Sequence, residues 1–127
     1  MDILLDTHAV LWFFQDDKRL SKTVVDVIYN LENMIYVSIA SVWEVAIKLS
    51  TGKLKFSGDI ESFIATIHRN EFELLDISTG HVEMTTHLPF VHRDPFDRIL
   101  VAQAMVEDMA IVTVDENILK YDVNIIW

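Results

Sequence analysis

Short apolar runs alternate with helical segments along the whole chain, and this alternation restricts the fold more than any other feature. The pattern predicts strands at Ile3–Leu5, Met34–Val37, Phe72–Ile77, Ala110–Val114 and Val123–Ile126. It predicts helices over 8–15, 21–31, 38–50, 59–70 and 78–88, and from Pro95 to near Met109. Strands that alternate with helices form βαβ units. The sequence therefore predicts an α/β fold, a three-layer sandwich with a central parallel sheet of about five short strands and helices on both faces.

Length and composition indicate one globular domain over residues 1–127, since a chain of this size buries roughly two-thirds of its unfolded surface on folding. The chain contains no cysteine, which excludes disulfides and thiolate chemistry, so a cytoplasmic location is expected. The N-terminus has no basic region of a signal peptide. The longest apolar run, Ala9–Phe14, is too short to cross a bilayer, so no membrane contact is expected.

Acidic residues recur where the predicted fold would place a ligand. Asp6 ends the first predicted strand and Asp115 ends the fourth. Glu44 lies in the second turn of a predicted helix, and Asp97 lies in the first turn of the helix that begins at Pro95. Ligands of parallel sheets bind beyond the carboxyl ends of the strands, where such helices also begin. These carboxylates are therefore expected at one edge of the sheet.

A group of carboxylates at one edge is costly without a cation. Unit charges about 4 Å apart interact by roughly 4 kcal/mol at an effective dielectric constant near 20. Oxygen ligands suit Mg²⁺ or Mn²⁺, and such ions can activate a water for phosphodiester hydrolysis. The net charge of −10 argues against simple electrostatic attraction to nucleic acid. A nucleic-acid substrate would need a local basic patch or bridging metal ions.

Four short motifs resemble the acidic motifs of PIN-domain ribonucleases. They are Leu4–Thr7, Ser41–Glu44, Asp94–Arg98 and Thr113–Asp115, in the order typical of that family. Trp43-Glu44 with Lys48 and Gly52-Lys53-Leu54 is similar to VapC-type toxins of bacterial and archaeal toxin–antitoxin pairs. The resemblance covers essentially the whole chain. It implies a PIN-like fold, a Mg²⁺- or Mn²⁺-dependent endoribonuclease, an RNA substrate and a cognate antitoxin that holds the enzyme inactive.

The same resemblance assigns roles to individual residues. It makes Asp6, Glu44, Asp97 and Asp115 the catalytic acidic quartet. Asp6 and Asp97 are expected as direct metal ligands, and the other two complete the shell directly or through water.

Secondary candidates are Asp94, Lys48 and Arg98. Asp94 is either the N-cap of the Pro95 helix or an outer-shell helper. Lys48 either holds Glu44 in an (i, i+4) ion pair or contacts phosphate. Arg98 is a candidate for neutralising RNA phosphates.

Two other classes of protein fit the sequence less well, and a third remains an alternative. A haloacid-dehalogenase-like phosphatase needs a second Asp two residues after the first, where this chain has His8. A receiver-like domain needs adjacent acids after the first strand, and Thr7 and His8 follow Asp6 instead. A catalytically inactive PIN-like module that only binds RNA or protein remains an alternative.

Two further features concern the surroundings of the site. His8 is more commonly a core or rim residue than a ligand in such a place, and His92 lies near the acids without a predictable position.

Trp12, Phe13 and Phe14 are consecutive, and one helix cannot turn three large rings toward a single core. This run, together with Trp43, predicts a homodimer or an antitoxin complex that covers aromatic surface.

Overall fold

The computed structural model of residues 1–127 contains one five-stranded sheet. The strands are β1 (Asp2–Leu5), β2 (Met34–Ser38), β3 (Glu73–Leu75), β4 (Ala110–Val112) and β5 (Ile125–Ile126). They lie in the order β3-β2-β1-β4-β5, and every neighbouring pair is parallel. The predicted parallel sheet is confirmed, although β3, β4 and β5 are shorter than the apolar runs suggested.

Helices connect the strands as predicted. They are α1 (Thr7–Phe14), α2 (Lys22–Tyr29), α3 (Ile39–Ser50), α4 (Ile60–Arg69), α5 (Thr79–Thr85) and α6 (Pro95–Glu107). A 3₁₀ turn at Ile118–Lys120 precedes β5. None of these helices has both the length and the apolar character needed to span a bilayer.

Polar side chains at the strand ends determine where several helices begin. Ser38 caps α3 and Asp94 caps α6, as predicted. Helix α1 begins one residue earlier than predicted, because Asp6 Oδ1 accepts the Ala9 N–H at 2.8 Å and Thr7 is already helical. Asp6 has the extended backbone of an N-cap, and a carboxylate is favoured at the positive end of the helix dipole.

Two hydrophobic clusters cover the two faces of the sheet. Ile3 and Leu5 point to one face, where they pack with buried residues of α1, α2 and α4. Leu4 points to the other face and packs with the buried side of α6. Because both faces are filled, the open carboxyl edge of the sheet is the place left for a polar site.

Aromatic packing corrects one argument from the sequence. Phe14 stacks on Phe72 at 6.1 Å between ring centroids, and Phe13 contacts the same ring at 5.7 Å. Trp12 meets the edge of Trp127 at 5.9 Å. These three consecutive rings are therefore partly buried by the chain itself, so the run does not by itself require a partner.

Candidate active site

Buried polar side chains gather at the carboxyl edge of the sheet. Asp6 and Thr7 follow β1, Ser38 ends β2, Ser41 lies in the first turn of α3, and Thr113 follows β4. All of them are buried, and the Thr7 hydroxyl donates to Ser41 Oγ at 2.9 Å. Buried polar groups are costly unless they are hydrogen-bonded. Their concentration at one edge of the sheet marks this edge as the candidate site.

Three segments bring a group of possible metal ligands together at this edge. His92 precedes α6, Asp97 lies in its first turn, and Asp115 follows β4. His92 Nε2 lies 2.8 Å from Asp97 Oδ2 and 3.5 Å from Asp115 Oδ2. One ligand atom from each of the three residues lies within 4.8 Å of the others. Carboxylate oxygens that dominate such a donor set fit a hard divalent cation.

Asp6 lies on the other side of Asp115. Both carboxylates line a cleft of about 290 Å³, together with His8 and Arg19. Burial raises the pKa of Asp6, and the negative charge of Asp115 adds to this rise. Hydrogen bonds from the Thr113 side chain and the Ala9 backbone oppose it. Asp6 is thus a buried acid at the wall of a polar cleft.

Asp97 shows how crowded the site is. Its pKa is raised from 3.8 to about 7, first by burial and then by the negative charges of Asp94 and Asp115. The hydrogen bond and charge of His92 act in the opposite direction. A nearby cation would favour the ionised carboxylate and reverse the rise.

Glu44 lies apart from this group. It is buried in α3, and its Oε2 pairs with Lys48 Nζ at 3.1 Å. None of the hydrogen bonds or ion pairs of Glu44 joins it to an aspartate of the site. Its helix is connected to the site through the contact between Ser41 and Thr7, next to Asp6.

The remaining secondary candidates have partners within the protein. Asp94 Oδ1 accepts the Phe96 N–H at 2.9 Å, which is the contact of an N-cap. The Arg98 guanidinium donates to the carbonyl oxygens of Thr85 at 2.9 Å and Pro89 at 3.1 Å. Arg98 is therefore engaged by the backbone of the preceding segment.

Sequence reasoning missed the position of two residues at the site. His92 was left without a place, although it contacts both Asp97 and Asp115. Arg19 gave no signal beyond a loop, yet it lies over the Trp12 ring at 4.5 Å and lines the cleft beside Asp6. Neither position belongs to a sequence motif, since His92 also contacts Asp115 after β4 and Arg19 is held by Asp17 and the Trp12 ring.

Comparison with known proteins identifies the fold. A family model described as PIN domain matches residues 3–124. No curated protein matches the sequence. Solved structures with the same fold include VapBC2 from Rickettsia felis bound to a DNA fragment from their promoter, at 16% identity and a TM-score of 0.74. That alignment covers 100% of this chain and 99% of that chain.

Two other solved structures show the same likeness. A toxin–antitoxin complex from Klebsiella pneumoniae matches at 17% identity with a TM-score of 0.66, over 98% of this chain and 96% of that chain. The PIN domain endonuclease Utp24 matches at 18% identity with a TM-score of 0.52, over 93% and 74%. Nuclease activity with divalent metal ions is typical of PIN domains. Because the family model matches residues 3–124 of this chain, the chain belongs to the PIN domain family.

Proposed function

We propose that this protein is a Mg²⁺- or Mn²⁺-dependent endoribonuclease and the toxin of a VapBC-type toxin–antitoxin pair. The observation that carries the proposal is the group formed by His92, Asp97 and Asp115, with buried Asp6 across the cleft. It lies at the carboxyl edge of a PIN fold, and PIN domains are typically nucleases. The proposed acidic quartet is Asp6, Glu44, Asp97 and Asp115.

The donor set supports a divalent cation. When bound, such an ion would lower the pKa of a water and neutralise phosphate charge during hydrolysis. The Asp6 carboxylate accepts the Ala9 N–H at Oδ1 and a hydrogen bond from Thr113, and its remaining lone pairs can bind an ion. Lys48 holds the Glu44 carboxylate from one helical turn away.

Positive charge at the cleft supports a nucleic-acid substrate. The chain has a net charge of −10, which repels RNA at a distance. Arg19 and His8 line the same cleft as Asp6 and Asp115. Asp17 holds Nε and Nη2 of Arg19, which leaves Arg19 Nη1 and the His8 ring as local donors for a phosphate. We therefore assign them to substrate binding rather than to metal binding.

A cognate antitoxin is proposed as the partner that holds the enzyme inactive in the cytoplasm. The support is the likeness of this fold to chains of VapBC2 from Rickettsia felis and of the toxin–antitoxin complex from Klebsiella pneumoniae.

A homodimer is proposed from an exposed apolar groove. The groove has a volume of about 400 Å³ and lies between the first turns of α3 and α6 and the segment around α5. Trp43 is 62% exposed there and meets the edge of Phe96 at 5.3 Å. No charged side chain lines the groove. Because a chain with a net charge of −10 repels its own copies elsewhere, this uncharged face is the surface that a second copy fits.

RNA cleavage by the purified protein tests the activity. We expect cleavage of single-stranded RNA in Mg²⁺ or Mn²⁺ and none in EDTA. Asp6→Asn removes a charge but keeps an oxygen for the Ala9 N–H, so it should fold while cleavage falls at least about 100-fold, the loss that a partner of a metal ligand can cause. Asp59→Asn is the matched control, because exposed Asp59 also caps a helix.

Three outcomes would contradict this proposal. Cleavage that persists in EDTA would exclude a metal-dependent mechanism. A protein that binds RNA but cleaves it in neither metal would instead be the inactive binding module. Equal losses in Asp6→Asn and Asp59→Asn would also remove Asp6 from the site.

A further inference from the structure

Arg98 ties the segment before α6 to the first turn of that helix. Its Nη2 donates to Thr85 O at 2.9 Å, and its Nη1 donates to Pro89 O at 3.1 Å and lies 3.4 Å from His92 O. Its guanidinium carbon lies 4.7 Å from the centre of the Phe90 ring. A planar guanidinium suits several acceptors in fixed directions. One side chain therefore fixes the backbone from the end of α5 to His92.

The position of His92 determines what its ring does. The Asp94 N–H points at His92 Nδ1 at 3.4 Å, an arrangement in which Nδ1 accepts and Nε2 is the nitrogen left to donate. The Nε2 N–H donates to Asp97 Oδ2 at 2.8 Å. A nitrogen that carries this proton does not bind a metal at the same time. His92 is therefore placed to orient the Asp97 carboxylate.

Arg98 and Asp97 are neighbours in sequence. The contacts of Arg98 with the backbone before α6 and the contact of His92 with Asp97 therefore meet at the first turn of this helix. Asp97 Oδ1 makes no hydrogen bond, whereas Oδ2 is held by His92. If the segment 85–92 moved, the His92 N–H would lose its direction toward Oδ2. The fork of Arg98 is occupied by carbonyl oxygens, which argues against a role in binding phosphate.

We propose that Arg98 and His92 act as one positioning unit for Asp97. Arg98 fixes the backbone that carries His92, His92 holds Asp97 Oδ2, and Oδ1 is left for the divalent cation. The inference rests on the proposed function, since it treats Asp97 as a metal ligand. Both residues are positioning residues, and neither is expected to touch the substrate or the metal.

The ring of His92 can be observed directly in the metal-free protein by long-range ¹H–¹⁵N spectra. We expect one tautomer, protonated at Nε2, in the parent. Arg98→Lys keeps the charge but loses the fork, and we expect a mixture of tautomers. Arg69→Lys is the control, because the side chain of Arg69 donates only to Thr66. An unchanged His92 signal in Arg98→Lys would overturn the proposal.

Added Mg²⁺ separates positioning from ligation in the same spectra. The Nε2 proton of His92 should remain when Mg²⁺ is added. Loss of that proton with retained Mg²⁺ binding would make His92 a ligand and would overturn the positioning role.

Calorimetric titration of Mn²⁺ without RNA tests the consequence for the metal site. His92→Ala and Arg98→Lys should each weaken Mn²⁺ binding about tenfold, as loss of an outer-shell partner typically does. The double variant should be no weaker than either single variant, because both act through one contact. His92→Gln keeps an N–H donor and should recover part of the affinity.

The outcomes separate this inference from the function on which it rests. Additive losses, or unchanged Mn²⁺ affinity with a raised KM for RNA in Arg98→Lys, would overturn the inference and indicate a phosphate contact. His92 lies in a loop, so the His92→Ala arm decides the matter even if Arg98→Lys fails to fold. A parent that binds Mn²⁺ with the expected dependence but cleaves no RNA would overturn only the proposed function.

Discussion

At the scale of single residues, Asp97 has two opposed effects. Its carboxylate serves the proposed metal site, but its ionisation lowers the stability of the metal-free protein. Its pKa is raised from 3.8 to about 7 by burial and by the charges of Asp94 and Asp115. The folded protein therefore binds more protons than the unfolded chain between these two pH values. Its contribution to stability is fully present below the lower value and is lost as the pH rises through the higher one.

Asp97→Asn removes this charge and should flatten the pH dependence. In EDTA, the free energy of unfolding of the parent relative to the variant should fall as the pH rises from about 4 to about 7. Urea unfolding of both proteins across that range measures the difference, in which the contributions of acids distant from Asp97 cancel. The variant should also lose most of the stabilisation that Mn²⁺ gives the parent.

A variant that unfolds well below the parent in EDTA at neutral pH would contradict this. Asp97 would then be chiefly a structural partner of His92 rather than a carboxylate held against repulsion. Equal pH dependence in the two proteins would show that Asp97 ionises in the folded state as it does in the unfolded chain.

The sequence predicted where the acidic residues lie but not which side chains contact them. Asp6, Asp97 and Asp115 could be placed at one edge because each follows a strand or begins a helix. His92 could not, because its position depends on the contact of Arg98 with Thr85, which is thirteen residues away. Local sequence does not encode such a contact in a loop.

At the scale of elements, the start of α6 combines a cap with part of the site. Asp94 Oδ1 accepts the Phe96 N–H at 2.9 Å, and Pro95 follows as the first helical residue. Asp94→Ala should lower the free energy of unfolding by about 1 kcal/mol, the usual value of an N-cap. Asp94→Asn keeps the acceptor and should be at least as stable as the parent in EDTA, because it removes a charge near Asp97.

Urea unfolding of metal-free Asp94→Ala and Asp94→Asn measures how much the N-cap contributes to the free energy of unfolding. Mn²⁺ titration of the Asn variant measures any outer-shell role, and an N-cap alone predicts nearly unchanged affinity. If Asn is as destabilising as Ala, the carboxylate charge rather than the acceptor stabilises the helix. If Asn loses Mn²⁺ affinity, Asp94 belongs to the metal site.

Elements were predictable where local signals agree. Ser38 and Asp94 begin their helices as expected, and Gly52, with φ of 71°, follows the end of α3. The start of α1 was predicted one residue late because Asp6 and Thr7 are both good N-caps. Only the extended backbone of Asp6 in the folded chain distinguishes them.

At the scale of the whole molecule, the sequence predicted exposed aromatic surface but misplaced it. Consecutive rings at Trp12, Phe13 and Phe14 are covered by Phe72 and Trp127, which are distant in sequence. Tertiary packing of this kind has no local signature. Of the four rings that the sequence singled out, Trp43 is the exposed one, on a helix whose hydrophobic periodicity did not distinguish it from a core residue.

Trp43 therefore carries the prediction about assembly. A tryptophan at the centre of an interface typically contributes about 2 kcal/mol or more, which is a factor of about 30 in the dissociation constant. If a second copy covers the groove, the parent should sediment as a dimer at high micromolar concentration and Trp43→Ser should shift toward monomer. Leu31→Ser is the matched control, because Leu31 is equally apolar and 97% exposed but lies outside the groove. A parent that stays monomeric without its antitoxin, or a Trp43→Ser variant that dimerises as the parent does, would contradict a homodimer formed through this groove.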